Sequence, residues 1–165
     1  MGAIRARFGA ANANVNADEQ GDEMNELTVE DRLELYELPG RYGDAIDDRD
    51  WDALRTVFTE DGVFDLTGVG SRLCTGIDDI VDFMEREAAH PRTHMMTNIR
   101  AWPTEDGAEL RFRIVALLTE GRVGTASYYD QVVRTDAGWR VAHRQVHLRR
   151  RDKREAEVDR NGIAL

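Results

Sequence analysis

Two short segments of this sequence carry residues that could transfer a proton together. One is an acidic stretch that includes Asp47, and the other is a methionine-containing stretch with His94 near its start. A carboxylate that holds an imidazole in one tautomer and stabilises its protonated form makes the imidazole a better base near neutral pH. If Asp47 and His94 meet in the fold, they form a general-base pair.

The composition indicates a single soluble domain. Hydrophobic residues make up 41% of the 165 residues, which is enough apolar material for one core. The formal net charge of -10 at pH 7 would repel nucleic acids and anionic membranes over most of the surface, so we expect neither as a partner. A basic run at 149–154 is interrupted and followed by acids, and we interpret it as a solvated terminal segment.

The terminal segments and the single cysteine indicate the bounds of the domain and the cellular compartment. Residues 1–26 are polar and aperiodic and are predicted to form a flexible arm, 27–150 a single domain, and 151–165 a charged tail. Cys74 has no partner for an intramolecular disulfide, and no apolar run is long enough for a signal-peptide core or a membrane span. We therefore expect a cytoplasmic protein.

Hydrophobic spacing predicts three helices in the first half of the domain. The first begins after Thr28, its N-cap, and Pro39 should kink or divide it. The second carries an apolar stripe that ends at Phe58, and a strand follows at 63–67. The third runs to Met84.

From residue 92 the hydrophobic period changes to two. Helices followed by hairpin-connected strands predict an α+β domain, with the N-terminal helices on the concave face of a curved, cone-shaped antiparallel (mixed) sheet. The mouth of such a cone can hold a small apolar ligand. Alternation alone does not say which face of each strand looks inward, although the hydroxyls of Tyr128 and Tyr129 must point to opposite sides. The predicted strands are 93–102, 108–120, 124–134 and 139–148.

The order of several motifs resembles the SnoaL-like branch of the nuclear transport factor 2-like superfamily, over residues 26–150. The resemblance implies an α+β cone with an internal pocket, and a homo-oligomer, dimer or trimer, packed through the outer face of the sheet. Relatives include dehydratases and a dehydrochlorinase. The motifs are Tyr-x4-Asp-x3-Trp, Gly-Ile-Asp-Asp-Ile-Val-Asp-Phe, Thr-His-x-x-Thr-Asn, Gly-x3-Tyr-Tyr-Asp and Gly-Trp-Arg-Val.

The same resemblance implies roles for four residues. In the eliminating enzymes of the family a strand histidine is the base and an aspartate near the end of the first helical segment is its partner, and these positions correspond to His94 and Asp47. A tyrosine or lysine precedes that aspartate, which corresponds to Tyr42, and a last-strand arginine corresponds to Arg144. Tyr42 would donate a hydrogen bond or proton to a departing oxygen or an enolate, and Arg144 would supply fixed positive charge.

Each of these residues also has a purely structural interpretation. Asp47 is one of several clustered acids that could cap a helix or be solvated, and His94 could be a satisfied core histidine. Tyr42 could be a core aromatic residue. Arg144 could bridge surface acids or a subunit contact.

No metal or cofactor is predicted. The histidine pairs at 90/94 and 143/147 fall on expected loops or strands, where a spacing of four does not place both side chains on one helical face, and His143 and His147 are interpreted as structural or exposed. We therefore predict a cofactor-independent lyase of the dehydratase type, or an isomerase, acting on a small hydrophobic cyclic molecule. The alternative is a non-catalytic member that binds a small ligand or serves as a structural subunit.

Overall fold

Three helices and six strands form the part of the chain that the computed structural model describes, residues 26–86 and 90–149. The predicted arm, except its last residue, and the predicted tail lie outside these residues. In chain order the elements are α1 (Val29–Asp47), α2 (Trp51–Arg55), β1 (Phe58–Asp65), β2 (Leu73–Thr75), α3 (Ile77–Arg86), β3 (Thr93–Thr104), β4 (Gly107–Leu117), β5 (Val123–Thr135) and β6 (Gly138–Leu148).

The strands form one mixed sheet in the order β2-β1-β6-β5-β4-β3. All neighbouring strands are antiparallel except β1 and β6, which run parallel. The long helix α1 packs against β3 and β6, and α3 packs against β1. This arrangement of helices on a curved, unclosed sheet confirms the predicted α+β class.

Helix α1 is anchored at its N-terminus by a capping box. The Thr28 hydroxyl accepts a hydrogen bond from the backbone of Asp31 at 3.1 Å, and the Asp31 carboxylate accepts one from the backbone of Thr28 at 3.0 Å. The same carboxylate accepts a hydrogen bond from the Trp139 indole at 3.0 Å and pairs with Arg134. Asp31 therefore ties the start of α1 to the last hairpin of the sheet.

Of the two predicted effects of Pro39, a kink or a division of the first helix, the division does not occur. The helix continues through Pro39 to Asp47, and it buries Leu38, Pro39, Tyr42 and Ile46 on one side. Burying this apolar face against the sheet outweighs the loss of one backbone hydrogen bond at proline.

The second helix is shorter than its apolar spacing suggested. It ends at Arg55, and Phe58 is the first residue of β1, where it pairs with Val141 of β6. Phe58 is buried in either conformation, so its spacing could not distinguish a last helical turn from the first residue of a strand. Strand β1 therefore begins earlier than predicted and ends at Asp65.

Two register shifts in the sheet change which residues of a strand face the core. In β3 the register slips between Thr97 and Arg100, and Asn98 has a positive φ of 54°. After this bulge Ile99 and Ala101 lie on the core side, where unbroken alternation from His94 would place Asn98 and Arg100. The alternation changes phase here because a bulge inserts one extra residue.

A second shift falls between β5 and β6, at the pairing of Gln131 and Val132. Val141 before the shift and Arg144 and Val146 after it are all buried in the core. Unbroken alternation would place Val141 on the opposite face from Arg144, but the extra residue at the shift brings both to the core side. The bulge thus lets one strand turn both an apolar segment and an arginine inward.

None of the helices among residues 26–86 and 90–149 is long and apolar enough to cross a membrane.

The capping box of α1 predicts a measurable loss of stability when it is removed. Thr28→Ala should lower the free energy of unfolding by about 1 kcal/mol, because a backbone donor of the first turn loses its acceptor. Thr28→Ser keeps the hydroxyl and is the matched control. Urea denaturation of both variants tests this, and equal midpoints for Thr28→Ala and the wild type would contradict it.

Candidate active site

The C-terminal end of α1 meets the start of β3 through Asp47. The Asp47 carboxylate lies 2.6 Å from Nδ1 of His94 through one oxygen. Its other oxygen accepts hydrogen bonds from the His94 backbone N–H and the Thr93 hydroxyl, each at 2.8 Å. The side chains are 17% exposed for Asp47 and 7% for His94. The meeting expected from the sequence is therefore present.

The hydrogen bonds keep the carboxylate in its ionised form. Burial alone would raise the pKa of Asp47, but the side-chain and backbone hydrogen bonds from His94, with that from Thr93, outweigh burial and lower the pKa. An ionised carboxylate only accepts, so Nδ1 of His94 carries the shared hydrogen. In the neutral ring this leaves a lone pair on Nε2, which is the atom available to act as a base.

A glycine allows α1 to approach β3 closely at this point. A Cβ atom at Gly43 would lie 2.7 Å from the terminal methyl of Met96. Gly43 is one turn before Asp47, and Met96 is two residues after His94, so this close approach lies next to the two site residues.

A cavity of about 330 Å³ opens beside His94. Tyr42 and Tyr128 also line it, and most of the remaining wall is apolar. A larger hollow of about 680 Å³ lies on the outer face of the sheet, among polar side chains that include His143 and His147. We place the candidate site in the smaller cavity, because only that one contains the Asp47-bound imidazole. Its apolar wall includes Ile46, Phe64, Phe83, Ile114, Val146 and Leu148.

Tyr42 reaches this cavity from α1. Its side chain is buried, and its ring centroid lies 6.2 Å from that of Tyr128. Burial raises the pKa of Tyr42 well above its usual range, and the neighbouring Tyr128 adds to this. The hydroxyl therefore stays protonated and can donate a hydrogen bond.

Arg144 lies behind the cavity wall and not in it. Its side chain has no exposed surface, and its guanidinium donates two hydrogen bonds to Asp130, at 2.8 and 2.6 Å. Burial alone would lower the pKa of Arg144, but the Asp130 carboxylate outweighs burial and raises it. The structure thus places Arg144 apart from Asp47 and His94, and the surface-bridge interpretation does not fit a side chain at this depth.

Three residues to which the sequence assigned no role in the site also belong to this region. Tyr128 and Asp130 share the inward face of β5, and His90 precedes β3 and lines the cavity. The His90 ring centroid lies 5.2 Å from that of His94, and burial lowers the pKa of His90. The Tyr-Tyr-Asp motif held a signal for the first two, since residues 128 and 130 must face the same side of a strand.

Asp47, His90 and His94 each offer one potential metal-ligand atom, and these atoms lie within 4.8 Å of one another. Spacing alone had not anticipated that His90 and His94 would meet. The Asp47 carboxylate, however, already accepts hydrogen bonds from the His94 ring, the His94 backbone and Thr93. A metal bound through Nδ1 of His94 would break the Asp47–His94 hydrogen bond, and we interpret the cluster as hydrogen-bonded.

Fold and site together define an α+β cone protein with a partly buried carboxylate–imidazole pair at an apolar cavity. Residues 27–145 match the SnoaL-like domain family, and the chain belongs to this family. The resemblance noted in the sequence is confirmed. Comparison with curated proteins finds no match.

Solved structures with the cystatin-like, NTF2-like fold are similar to this chain. A candidate aromatic ring hydroxylase from Novosphingobium aromaticivorans is 30% identical, with a TM-score of 0.67 over 76% of this chain and 94% of that chain. A candidate scytalone dehydratase from the same organism is 21% identical (TM-score 0.61; 74% and 89%). A hexachlorocyclohexane dehydrochlorinase is 18% identical (TM-score 0.61; 74% and 90%). The last two likenesses establish the fold alone.

Asp47→Asn should remove a pH-dependent part of the stability. The pKa of Asp47 in the folded protein lies below its ordinary value of 3.8. The carboxylate therefore stabilises the folded state above that pH, and this contribution is lost as the pH falls through the lower folded-state pKa. Urea denaturation from about pH 3 to about pH 7 should show the difference from wild type shrinking at the acidic end.

The matched control is Asp48→Asn, which removes the exposed neighbouring carboxylate. Its free energy of unfolding should follow the wild-type pH dependence. A difference between Asp47→Asn and wild type that stays constant over the whole pH range would contradict the assignment.

Proposed function

We propose that this protein is a cofactor-independent lyase of the dehydratase type, or an isomerase, acting on a small hydrophobic cyclic molecule. The observation that carries the proposal is the 2.6 Å hydrogen bond between Asp47 and His94, with the imidazole at the wall of an apolar cavity. Membership of the SnoaL-like family supports it, since two proteins of the same fold are named for elimination reactions.

The chemistry begins with His94 as a general base. Nε2 removes a proton from a substrate carbon, and the imidazolium that forms is stabilised by the adjacent Asp47 carboxylate. In a dehydration, the electron pair of the broken C–H bond forms the double bond while the hydroxyl departs, and the proton on His94 completes a water molecule. In an isomerisation, His94 returns the proton to a different carbon.

The cavity supports an apolar substrate of limited size. Its volume of about 330 Å³ suits a small molecule, and its wall is mostly aliphatic and aromatic. Polar side chains that include Tyr42, His94 and Tyr128 also line the cavity. A substrate with one polar group and an apolar body would satisfy both parts of the wall.

We also propose that the chain forms a homo-oligomer through the outer face of the sheet, as a dimer or a trimer. Large apolar side chains are exposed on the strands β3, β4 and β5, and burying exposed apolar surface favours association. Sedimentation equilibrium would measure the assembly, and a monomer at micromolar concentration would contradict it. The exposed side chains are Met95, Trp102, Leu117, Val123 and Tyr129.

Replacing the base should remove most turnover and leave the fold intact. We expect His94→Gln to lower kcat by about 10²–10⁴-fold, because a positioned general base contributes about that factor. The assay is product analysis of hydroxylated and ketone-bearing polycyclic compounds, with circular dichroism to verify folding. Asp47→Asn should lower kcat as well, because it removes the group that orients the imidazole.

His147→Gln is the matched control, since His147 is exposed on the outer face of the sheet. Its turnover should equal that of the wild type. Wild-type turnover in His94→Gln would refute the base. Binding of these compounds without turnover, unchanged in His94→Gln, would favour the non-catalytic ligand-binding alternative.

A further inference from the structure

We propose that Tyr128 is a further catalytic residue, which together with Tyr42 donates hydrogen bonds to one carbonyl oxygen of the substrate. We infer that the buried Asp130–Arg144 ion pair positions these two tyrosines. The inference rests on the proposed function and narrows its substrate class to small cyclic ketones that carry a removable proton next to the carbonyl group.

The two tyrosines reach the cavity from different elements. Tyr42 comes from α1 and Tyr128 from β5, and both line the same cavity as His94. Their exposed fractions are 1% and 8%, and their ring centroids lie 6.2 Å apart with the rings tilted by 50°. Two donors close together on one wall can serve a single acceptor atom.

Packing holds both rings in place. The Tyr128 ring lies at a 31° tilt to Phe112 with centroids 5.1 Å apart. The Tyr42 ring contacts Phe58 and Phe64 edge to face, at 6.3 and 6.4 Å. Aromatic side chains fixed in this way can hold a hydroxyl in one direction without support from solvent.

The Arg144 guanidinium lies against the rings of both tyrosines. Its central carbon is 4.1 Å from the ring centroid of Tyr42 and 5.3 Å from that of Tyr128. Contacts of this kind attract the cation to the ring face and resist rotation of the ring. Asp130 in turn holds the guanidinium plane with two parallel hydrogen bonds.

A buried ion pair often adds little net stability to a core. Apolar side chains of similar volume often do as well or better, because both charges must lose their water. Here Nη1 of Arg144 is also buried with no hydrogen-bond partner among the described residues, which adds to the cost. A role in fixing the two tyrosines explains why the fold keeps a charge pair at this position.

The arrangement suits a developing oxyanion. Burial raises the pKa of both tyrosines, so each remains a neutral donor at physiological pH. When Nε2 of His94 takes the proton next to a carbonyl, the C–H electron pair becomes a carbon–carbon double bond and the carbonyl π pair moves to oxygen. The resulting enolate oxygen would accept hydrogen bonds from Tyr42 and Tyr128, and donors placed for such a charge lower the barrier.

The enolate then completes either reaction without a further reagent. Re-formation of the carbonyl can expel a hydroxyl from the next carbon, which leaves as water with the proton held on His94. Alternatively, His94 can return the proton to a different carbon of a conjugated enolate. Both outcomes conserve atoms and charge.

The test uses 1-tetralone as the ketone and tetralin as the matched hydrocarbon. We expect the wild-type protein to bind 1-tetralone about ten-fold more tightly than tetralin, because the ketone accepts hydrogen bonds in the cavity. We also expect it to accelerate exchange of the protons next to the carbonyl in heavy water, which proton NMR measures. The first experiment gives the ketone preference and the second gives the rate of enolisation.

Tyr128→Phe removes only one hydroxyl, and Tyr129→Phe is its control on the opposite face of the same strand. Tyr128→Phe should lower the ketone preference about five-fold and slow exchange by about ten-fold or more, with tetralin affinity unchanged. Tyr129→Phe should behave as wild type. If Tyr128→Phe keeps both the ketone preference and the exchange rate, or if wild type binds the two compounds equally, the proposal is overturned.

Arg144→Lys tests the positioning role. Lysine keeps the charge but loses the planar fork and its stacking, so the ketone preference should fall while tetralin affinity stays within about two-fold of wild type. An unchanged preference would overturn the positioning role. If the variant does not fold, Asp130→Glu, which keeps the carboxylate but moves it, provides the second measurement.

His94→Gln separates this proposal from the proposed function. It should abolish exchange and leave the ketone preference intact, because it removes the base and keeps both hydroxyls. Exchange that persists in His94→Gln would refute the base, whereas the Tyr128→Phe comparison would still decide whether the two tyrosines recognise the carbonyl group.

Discussion

The site depends on one junction, where the last residue of a long helix accepts hydrogen bonds from two consecutive residues of a strand. Asp47 binds the backbone and ring of His94 and the hydroxyl of Thr93. Each bond favours the ionised carboxylate, and together they fix the end of α1, the start of β3 and the imidazole tautomer. A single side chain thereby couples the packing of the two layers to the orientation of the ring.

The core contains a second pair of ionisable side chains, of a different kind. Asp47 and His94 keep some exposed surface, whereas Asp130 and Arg144 have none. The first pair can therefore exchange a proton with a bound molecule, while the second is sealed behind the rings of Tyr42 and Tyr128. The cavity adjoins the imidazole and those rings, so a small molecule within it would contact a proton acceptor and hydrogen-bond donors at once.

Much of this arrangement could be predicted from the sequence, because it follows from periodicity and motif order. The α+β class, the third helix and the long strands were predicted correctly. The continuation of the first helix through Pro39 and the end of the second helix before Phe58 were not predicted. Burial of an apolar face decides whether a helix continues, and burial depends on distant residues. Simple alternation does not give the inward-facing residues of β3 beyond Asn98, because a bulge breaks the alternation there. The inward direction of Tyr128 needed the tertiary structure, since parity pairs residues without choosing a side.

The bulge at Asn98 divides β3 into two parts in which the alternation of inward-facing residues has a different phase. Before it the strand presents His94 and Met96 to the interior, and after it Ile99 and Ala101 take that place. The outward surface of the second part, with Arg100 and Trp102, is thus out of phase with the segment that carries the imidazole. Substitutions of Arg100 or Trp102 therefore alter the outer surface of the distal part of β3 at positions separated by the bulge from the segment that orients the imidazole.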